Sequence, residues 1–406
     1  VKNKRTPDIR FAGFTGDWEK RKLGDVADIV GGGTPSTSSE EYWNGNIDWY
    51  SPVEIGEKTY VSSSQKKITE LGLKKSSAKI LPVGTILFTS RAGIGSTAIL
   101  AKEGATNQGF QSIVPHKEML DSYFIYSRSH ELKRYGELTG AGSTFVEVSG
   151  KQMAKMPILM PILEEQRLIG KLFENMDNLI TLHQQELTTL KQTKRGFLQK
   201  MFPKKGESVP EVRFPGFTEE WEQRKLNEVA EIIGGGTPST DVQEYWDGDI
   251  DWYSPVEIGK ETYAFGSQRK ITTLGLRKSS AKVLPANKTI LFTSRAGIGD
   301  MAILKKDGAT NQGFQSLVVN NNYDIYFVYS MGYKIKEFAL KHASGSTFLE
   351  ISGKGLGKMD LFVPSLEEQT KIGNFFEQLD NTIALHQREL DTLKETHKAF
   401  LQKMFA

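Results

Sequence analysis

The chain has no cysteine among its 406 residues, which excludes disulfides and thiolate metal ligands. No run approaches the roughly 18 consecutive apolar residues of a membrane span, so no membrane partner is expected. Neither charge sign is in real excess: 52 Lys and Arg face 49 Asp and Glu, a net charge of +3, which does not by itself advertise a nucleic-acid binder. The first residues, Val1 to Pro7, are polar with no apolar core behind them, so a secretory signal is not expected. A soluble cytoplasmic protein is the expectation. Because the chain starts at Val1, something upstream is expected to have been removed or to be absent.

Signatures of catalysis are also missing. There is no Gly-x-x-x-x-Gly-Lys-Ser/Thr phosphate loop: Gly150-Lys151 runs on into Gln152 and Met153. There is no His-Glu-x-x-His, the six histidines are scattered, and no Pro-Pro-aromatic tetrapeptide of an amino-methyltransferase occurs. The acidic stretch from Asp48 to Glu57-Lys58 can be forced into a nuclease-like motif, but a second copy of it reads Gly259-Lys260-Glu261 and breaks the match. No catalytic residue and no metal site are expected.

What is present is a globular composition, 38% hydrophobic and 25% charged, and a repeat. The second half restates the first at an offset of 203 residues. Gly31-Gly32-Gly33-Thr34-Pro35-Ser36-Thr37 recurs letter for letter at 234–240, and Asp48 to Gly56 recurs at 251–259. Ile86 to Gly95 recurs at 290–299, and Ala105 to Ser112 at 309–316. Copies this long are domains, not solenoid units.

Each copy opens with a turn-rich stretch of short apolar bursts, read as irregular β with some helix. Each closes on a proline, Pro161 or Pro364, and then Leu-Glu-Glu-Gln opens a proline-free stretch with apolar residues three and four apart. The stripe runs Ile169, Leu172, Met176, Leu179, His183, Leu187, Leu190, Phe197, Met201, and again Ile372, Phe375, Leu379, His386, Leu390, Leu393, Phe400, Met404. A helix over 165–201 would be ~55 Å long and needs a partner, for which its own repeat is the natural choice. His183 and His386 read as packed seam histidines, and Lys194 with its counterpart His397 as polar breaks that set register.

Charge is segregated locally. Residues 65–79 hold Lys66, Lys67, Lys74, Lys75 and Lys79 against Glu70 alone, and 266–282 hold Arg269, Lys270, Arg277, Lys278 and Lys282 with no acid. One such stripe is as readily a solvated face, but two matching copies favour a phosphate-facing role.

Taken in order and twice over, these motifs resemble the specificity subunit of type I restriction-modification enzymes. The carriers are Trp-Glu-x-Arg-Lys-Leu at 18–23 and 221–226, Gly-Gly-Thr-Pro-Ser, Tyr-Trp-x-Gly-x-Ile-x-Trp at 42–49 and 245–252, Ile-Leu-Phe-Thr-Ser-Arg-Ala-Gly-Ile-Gly, Thr-Asn-Gln-Gly-Phe-Gln-Ser, Gly-Ser-Thr-Phe, and Pro-x-Leu-Glu-Glu-Gln before a helix. The resemblance implies an α+β (mixed α/β) fold. Its expected parts are target-recognition domains at 1–163 and 204–366, and spacer helices at 164–203 and 367–406 paired as an antiparallel coiled coil with pseudo-two-fold symmetry. It implies double-stranded DNA as ligand, two methylation subunits and motor or restriction subunits as partners. S-adenosylmethionine, ATP and Mg2+ would sit on those partners and no cofactor on this chain. The alternative is a two-domain DNA-binding regulator that works alone.

Sequence is read by arginine on guanine and by asparagine or glutamine on adenine. The candidate DNA contacts in the first copy are Thr34, Ser36, the basic stripe Lys66, Lys67, Lys74 and Lys75, the loop Ser90-Arg91, the amides Asn107, Gln108 and Gln111, and Ser143, Thr144 and Lys151. In the second copy they are Thr237, Ser239, Arg269, Lys270, Arg277, Lys278, Ser294, Arg295, Asn311, Gln312, Gln315, Ser346, Thr347 and Lys354. The competing reading makes the glycine and asparagine loops scaffold and puts base choice where the copies differ, chiefly 115–142 against 319–345. Shared loops predict a bipartite target of nearly inverted halves with an adenine methylated on each strand.

Overall fold

The computed structural model describes residues 5–91, 93–140, 147–295, 297–345 and 349–405. The chain divides into two compact units, Val1–Gln184 with Glu389–Ala406, and Gln185–Arg388. Each unit takes parts of both long helices.

In unit 1 the apolar bursts become the strands of a five-stranded sheet, in the order Ala27–Gly31, Gln111–Pro115, Ile86–Phe88, Thr97–Leu100, Tyr60–Val61. Strand side chains alternate between faces, and here both faces are covered. Ile86, Phe88, Ile99 and Ile113 join the core built with the long helices, while Leu87, Ala98 and Leu100 join a second core with Tyr50, Ile55 and Phe110. That is why these strands read as continuous apolar runs and not as alternation. A three-stranded sheet, Lys66–Ile68, Trp43–Tyr50, Ala105–Thr106, lies beyond, around Trp49, Ile68 and Ala105. The motif Trp18-Glu19 opens a third pairing, Glu19–Lys22 antiparallel to Pro157–Met160. Unit 2 repeats all three sheets, its five-stranded one running Ala230–Gly234, Gln315–Val319, Thr289–Phe292, Met301–Leu304, Tyr263–Ala264.

The long helices are Leu163–Lys200 and Leu366–Lys403, 38 residues each. Within unit 1 the start of the first runs antiparallel to the end of the second: Phe173 stacks on Phe405 with ring centroids 5.6 Å apart, and Asp177 meets His397 Nε2 at 3.1 Å. Within unit 2 the mirrored arrangement has Phe197 edge-on to Phe375 at 5.0 Å, and Lys194 ion-paired with Asp380. Lys194 and His397 are thus the equivalent partners of two helix aspartates, as their place in the repeat suggested. Each Asp also accepts a tyrosine hydroxyl, from Tyr123 at 2.7 Å and Tyr326 at 2.8 Å, which fixes helix register to the sheet region. Leu179 does not lie in the seam; it is 46% exposed, and Phe173 and Phe376 are the fully buried side chains instead.

The Leu-Glu-Glu-Gln motif is an anchor. Glu165 accepts two bonds from the Arg10 guanidinium, at 2.6 and 2.7 Å, and Glu368 does the same for Arg213 at the same distances. Gln166 donates to the Pro161 carbonyl and accepts from the Asp121 amide. One turn on, a Cβ at Gly170 would sit 3.0 Å from the Phe124 amide nitrogen and collide with Asp121, so only glycine lets the helix approach this closely.

Arg213→Ala leaves Glu368 buried without its cation and is expected to lower stability by about 3–5 kcal/mol. Leu179→Asp is expected to change it by no more than about 0.5 kcal/mol. Urea unfolding of both variants checks the pair, and equal effects would show that the anchor has been misplaced.

Candidate nucleic-acid interface

The glycine-rich loop leaves the edge strand at Gly31 and crosses to the three-stranded sheet. A Cβ at Gly32 would collide with the carbonyl oxygens of Thr106 and Asn107, so the approach requires glycine. Gly33 then donates to the Thr106 carbonyl at 2.8 Å and accepts from the Trp49 indole at 2.8 Å. Past it, Thr34 donates to the side-chain oxygen of Gln108, and Ser36 takes the Trp43 indole N–H on its carbonyl at 3.0 Å. Two motifs 74 residues apart therefore become one surface. Unit 2 reproduces it: Thr237 donates to Gln312, and Trp246 donates to the Ser239 carbonyl at 3.0 Å.

The arginine loop joins the same surface. Ser90 donates its amide to the Gly109 carbonyl at 2.8 Å, which places Arg91 beside the Asn107–Gly109 turn. Asn107 uses its side-chain oxygen to close that turn on the Gly109 amide, at 2.8 Å, and Asn311 does so on Gly313 at 2.7 Å. Arg91 and Arg295 are half-buried; Arg295 lies 3.9 Å from Glu350, a loose pair. The adjoining serines are a correction: Ser90 and Ser294 are fully buried and cannot reach a ligand. Gln111 and Gln315 sit on strands with their carboxamides wedged against Gly150 and Gly353, and Lys151 and Lys354 stand exposed on the next residue. Ser143, Thr144, Ser346 and Thr347 lie outside the described residues.

The basic stripe divides into two roles. Lys66 is exposed, its ammonium 5.8 Å from the Trp43 ring, and Arg269 stacks its guanidinium 3.7 Å from the Trp246 centroid. Lys74 and Lys75 are exposed at the C-terminal end of the helix Glu70–Lys74, and Arg277 and Lys278 at the end of Thr273–Arg277. Lys67 and Lys270 are half-exposed and lean toward a buried acid. Asp48, 1% exposed, binds Lys67 at 2.7 Å and Lys102 at 3.1 Å; Asp251 binds Lys306 at 2.8 Å with Lys270 at 3.7 Å. Burial pushes the Asp48 carboxyl up, but Lys67, the Ser64 amide and Lys102 outweigh it and hold it at about 2. Asp251 is held below the usual carboxylate range against the same burial by Lys306 and Ser267. The sequence reading missed Asp48, Lys102 and the Trp43 and Trp246 platforms. The only signal was an acid repeated inside an aromatic strand motif.

An aspartate depressed in the folded state contributes stability above its unfolded pKa and loses it as pH falls through the folded value. Asp48→Asn is therefore expected to cost about 2 kcal/mol at pH 7, with the difference from wild type shrinking below pH ~4 and gone near pH ~2. Urea melts at pH 7, 4 and 3 read this. A difference independent of pH would show that the carboxylate charge does not contribute.

The described residues contain no helix long and apolar enough to cross a membrane. The family model for the type I restriction modification DNA specificity domain matches twice, over residues 15–192 and 218–395. The type I restriction enzyme MjaIX specificity subunit of Methanocaldococcus jannaschii is 27% identical over 408 residues, covering 96% of this chain and 92% of the relative. The EcoR124I/EcoR124II specificity subunit of Escherichia coli is 31% identical over 172 residues, 40% of this chain and 42% of that one. Among solved structures, the S subunit of a type I restriction-modification system from M. genitalium matches with a TM-score of 0.64 at 16% identity, over 99% of both chains. With both units matched and each motif in its place, the chain belongs to the type I restriction-modification DNA specificity family.

Proposed function

We propose that each unit reads one half of a bipartite double-stranded DNA target and that the chain directs partner subunits to it. The observation that carries this reading is the convergence, in both units, of an arginine, two amides and a threonine on one set of pinned loops, beside a cation held over a tryptophan. Arginine and amide groups match base edges in the major groove. The exposed cations Lys66, Lys74, Lys75, Arg269, Arg277 and Lys278, with Lys151 and Lys354, supply phosphate contacts that fix register. Thr34 and Thr237 hold Gln108 and Gln312 in place; the half-exposed Lys67 and Lys270 tie the surface to Asp48 and Asp251.

In this reading the chain contributes no catalytic group. Methyl transfer from S-adenosylmethionine to adenine belongs to two methylation subunits, and ATP-driven cleavage with Mg2+ to motor subunits. Methylome sequencing of the host with and without the gene tests it: loss of one bipartite adenine-methylation motif is expected, with closely related halves because the loops are shared. No lost motif, or DNA binding by a chain that never associates with a methyltransferase, would favour a regulator that works alone.

Two substitutions separate the roles. Lys66→Ala with Lys74→Ala and Lys75→Ala is expected to weaken binding to all duplexes and to reduce the log–log salt slope by about one for each phosphate no longer neutralised. Arg91→Ala is expected to cost about 1–3 kcal/mol on the target and little on unrelated DNA. Titrations across salt concentrations decide; an unchanged slope would return the lysines to ordinary surface.

A further inference from the structure

The turn Pro52–Glu54 follows the strand Trp43–Tyr50 and is held on every side. Glu54 accepts from the Ser51 amide and hydroxyl, both at 2.8 Å, and with its other oxygen from the Gln65 amide at 2.7 Å. Pro52 lies under the Asn107–Gly109 turn, where a Cβ at Gly109 would be 2.9 Å from its ring, and Ile55 is buried in the core at 7% exposure. The one side chain left standing is Val53, 87% exposed. Unit 2 has the same construction: Glu257 takes Ser254 and Gln268, each contact at 2.7 Å, Pro255 lies under Gly313, Ile258 is buried, and Val256 is 82% exposed.

A single exposed valine is ordinary on a protein surface. These two differ in their setting. Three charge-assisted or capped hydrogen bonds and a packed proline hold a turn whose exposed tip is apolar, and no packing in the described residues uses that tip. The turn adjoins the Arg91 and Asn107 loops in unit 1 and the Arg295 and Asn311 loops in unit 2, among groups suited to base edges. A small branched apolar side chain at such a place matches the one apolar feature of the major groove, the C5-methyl group of thymine.

We propose that Val53 and Val256 are specificity-determining contacts, each packing on a thymine methyl in its half of the target. The inference rests on the DNA-reading function proposed above. Rigid presentation gives it a mechanism: the ordering cost is met on folding, so burying the methyl shows directly in affinity.

The test uses the full chain in its methyltransferase complex and duplexes carrying the bipartite motif found by methylome sequencing, with each thymine replaced in turn by deoxyuridine. Wild type is expected to lose about fourfold in affinity at one thymine of each half, the worth of one buried methyl. Val53→Ser is expected to abolish that loss in one half and leave it in the other, and Val256→Ser the converse. Binding of the motif with no thymine-to-deoxyuridine effect, or an effect that persists in both variants, overturns this inference alone. Failure of the complex to bind the motif over unrelated DNA overturns the DNA-reading proposal with it.

Discussion

The buried pairing of Arg10 with Glu165, and of Arg213 with Glu368, is the constraint on which each unit is assembled. A carboxylate at the first turn of a helix is favoured by the helix dipole, yet at 0% and 1% side-chain exposure it is costly unless a cation meets it with full geometry. The two-pronged guanidinium meets that need. In doing so it brings the segment before each recognition region onto the start of the helix that follows it. The same segment reaches the other long helix within its unit: the Ile9 amide closes on the Lys403 carbonyl at 2.9 Å, and the Val212 amide on Lys200 at 2.9 Å. A helix end that would otherwise leave open carbonyls is thereby satisfied. One ion pair thus fixes where the chain enters a unit, where a helix starts and where another ends.

With that frame in place the sheets have little freedom. Tyr123 and Tyr326 reach the helix aspartates, and Gly170 and Gly373 let the helices come down onto the short helices Ser122–Ser127 and Ile325–Ser330. The five-stranded sheet is then covered on one face by the helices and on the other by the second core. Its loops at Gly31 and Phe88 emerge beside the segment that links Thr106 of the three-stranded sheet to the strand starting at Gln111, which is why residues far apart in sequence form one surface. Net charge says little about this surface because the cations are sorted locally: strand alternation sends Lys67 toward Asp48 and Lys66 outward over Trp43.

Much of this was legible in the sequence. The repeat, the two long helices and the polar breaks at Lys194 and His397 carry periodic or duplicated signals that local chemistry reads directly. The seam was legible only in part, since the 3.6-residue period drifts against a stripe counted in threes and fours. Leu179 was drawn in, while Phe173 and Phe376 were passed over for their neighbours Leu172 and Phe375. The site was the least legible part. Ser90 reads as an exposed loop serine beside an arginine, but the Gly109 carbonyl fixes its amide and turns its side chain into the interior. Asp48 finds Lys102 across 54 residues, a pairing no local pattern announces.

The divergent segments also change meaning once placed. Residues 115–142 and 319–345 differ widely in letters, yet Tyr123, Phe124 and Leu132 fill the core positions that Tyr326, Phe327 and Ile335 fill in the other unit. Much of that divergence is exchange among residues that pack against a helix. The differences that fall on the loop surface are fewer. Ser38 hydrogen-bonds Ser36 at 2.8 Å, directly after the loop that carries Thr34, where unit 2 has Asp241. Ser96 lies 3.4 Å from where a Cβ on Gly56 would stand, and its counterpart Asp300 lies against Gly259 in the same way and also pairs with Lys336 at 3.3 Å. Both changes put a carboxylate where the first unit has a hydroxyl. A carboxylate accepts only, whereas a hydroxyl accepts and donates. The exchanges leave local charge nearly balanced, since Lys336 pairs with Asp300 and Gln243 stands where the first unit has Glu40, so two units with the same frame and the same arginine and amide loops differ in hydrogen-bonding character more than in charge.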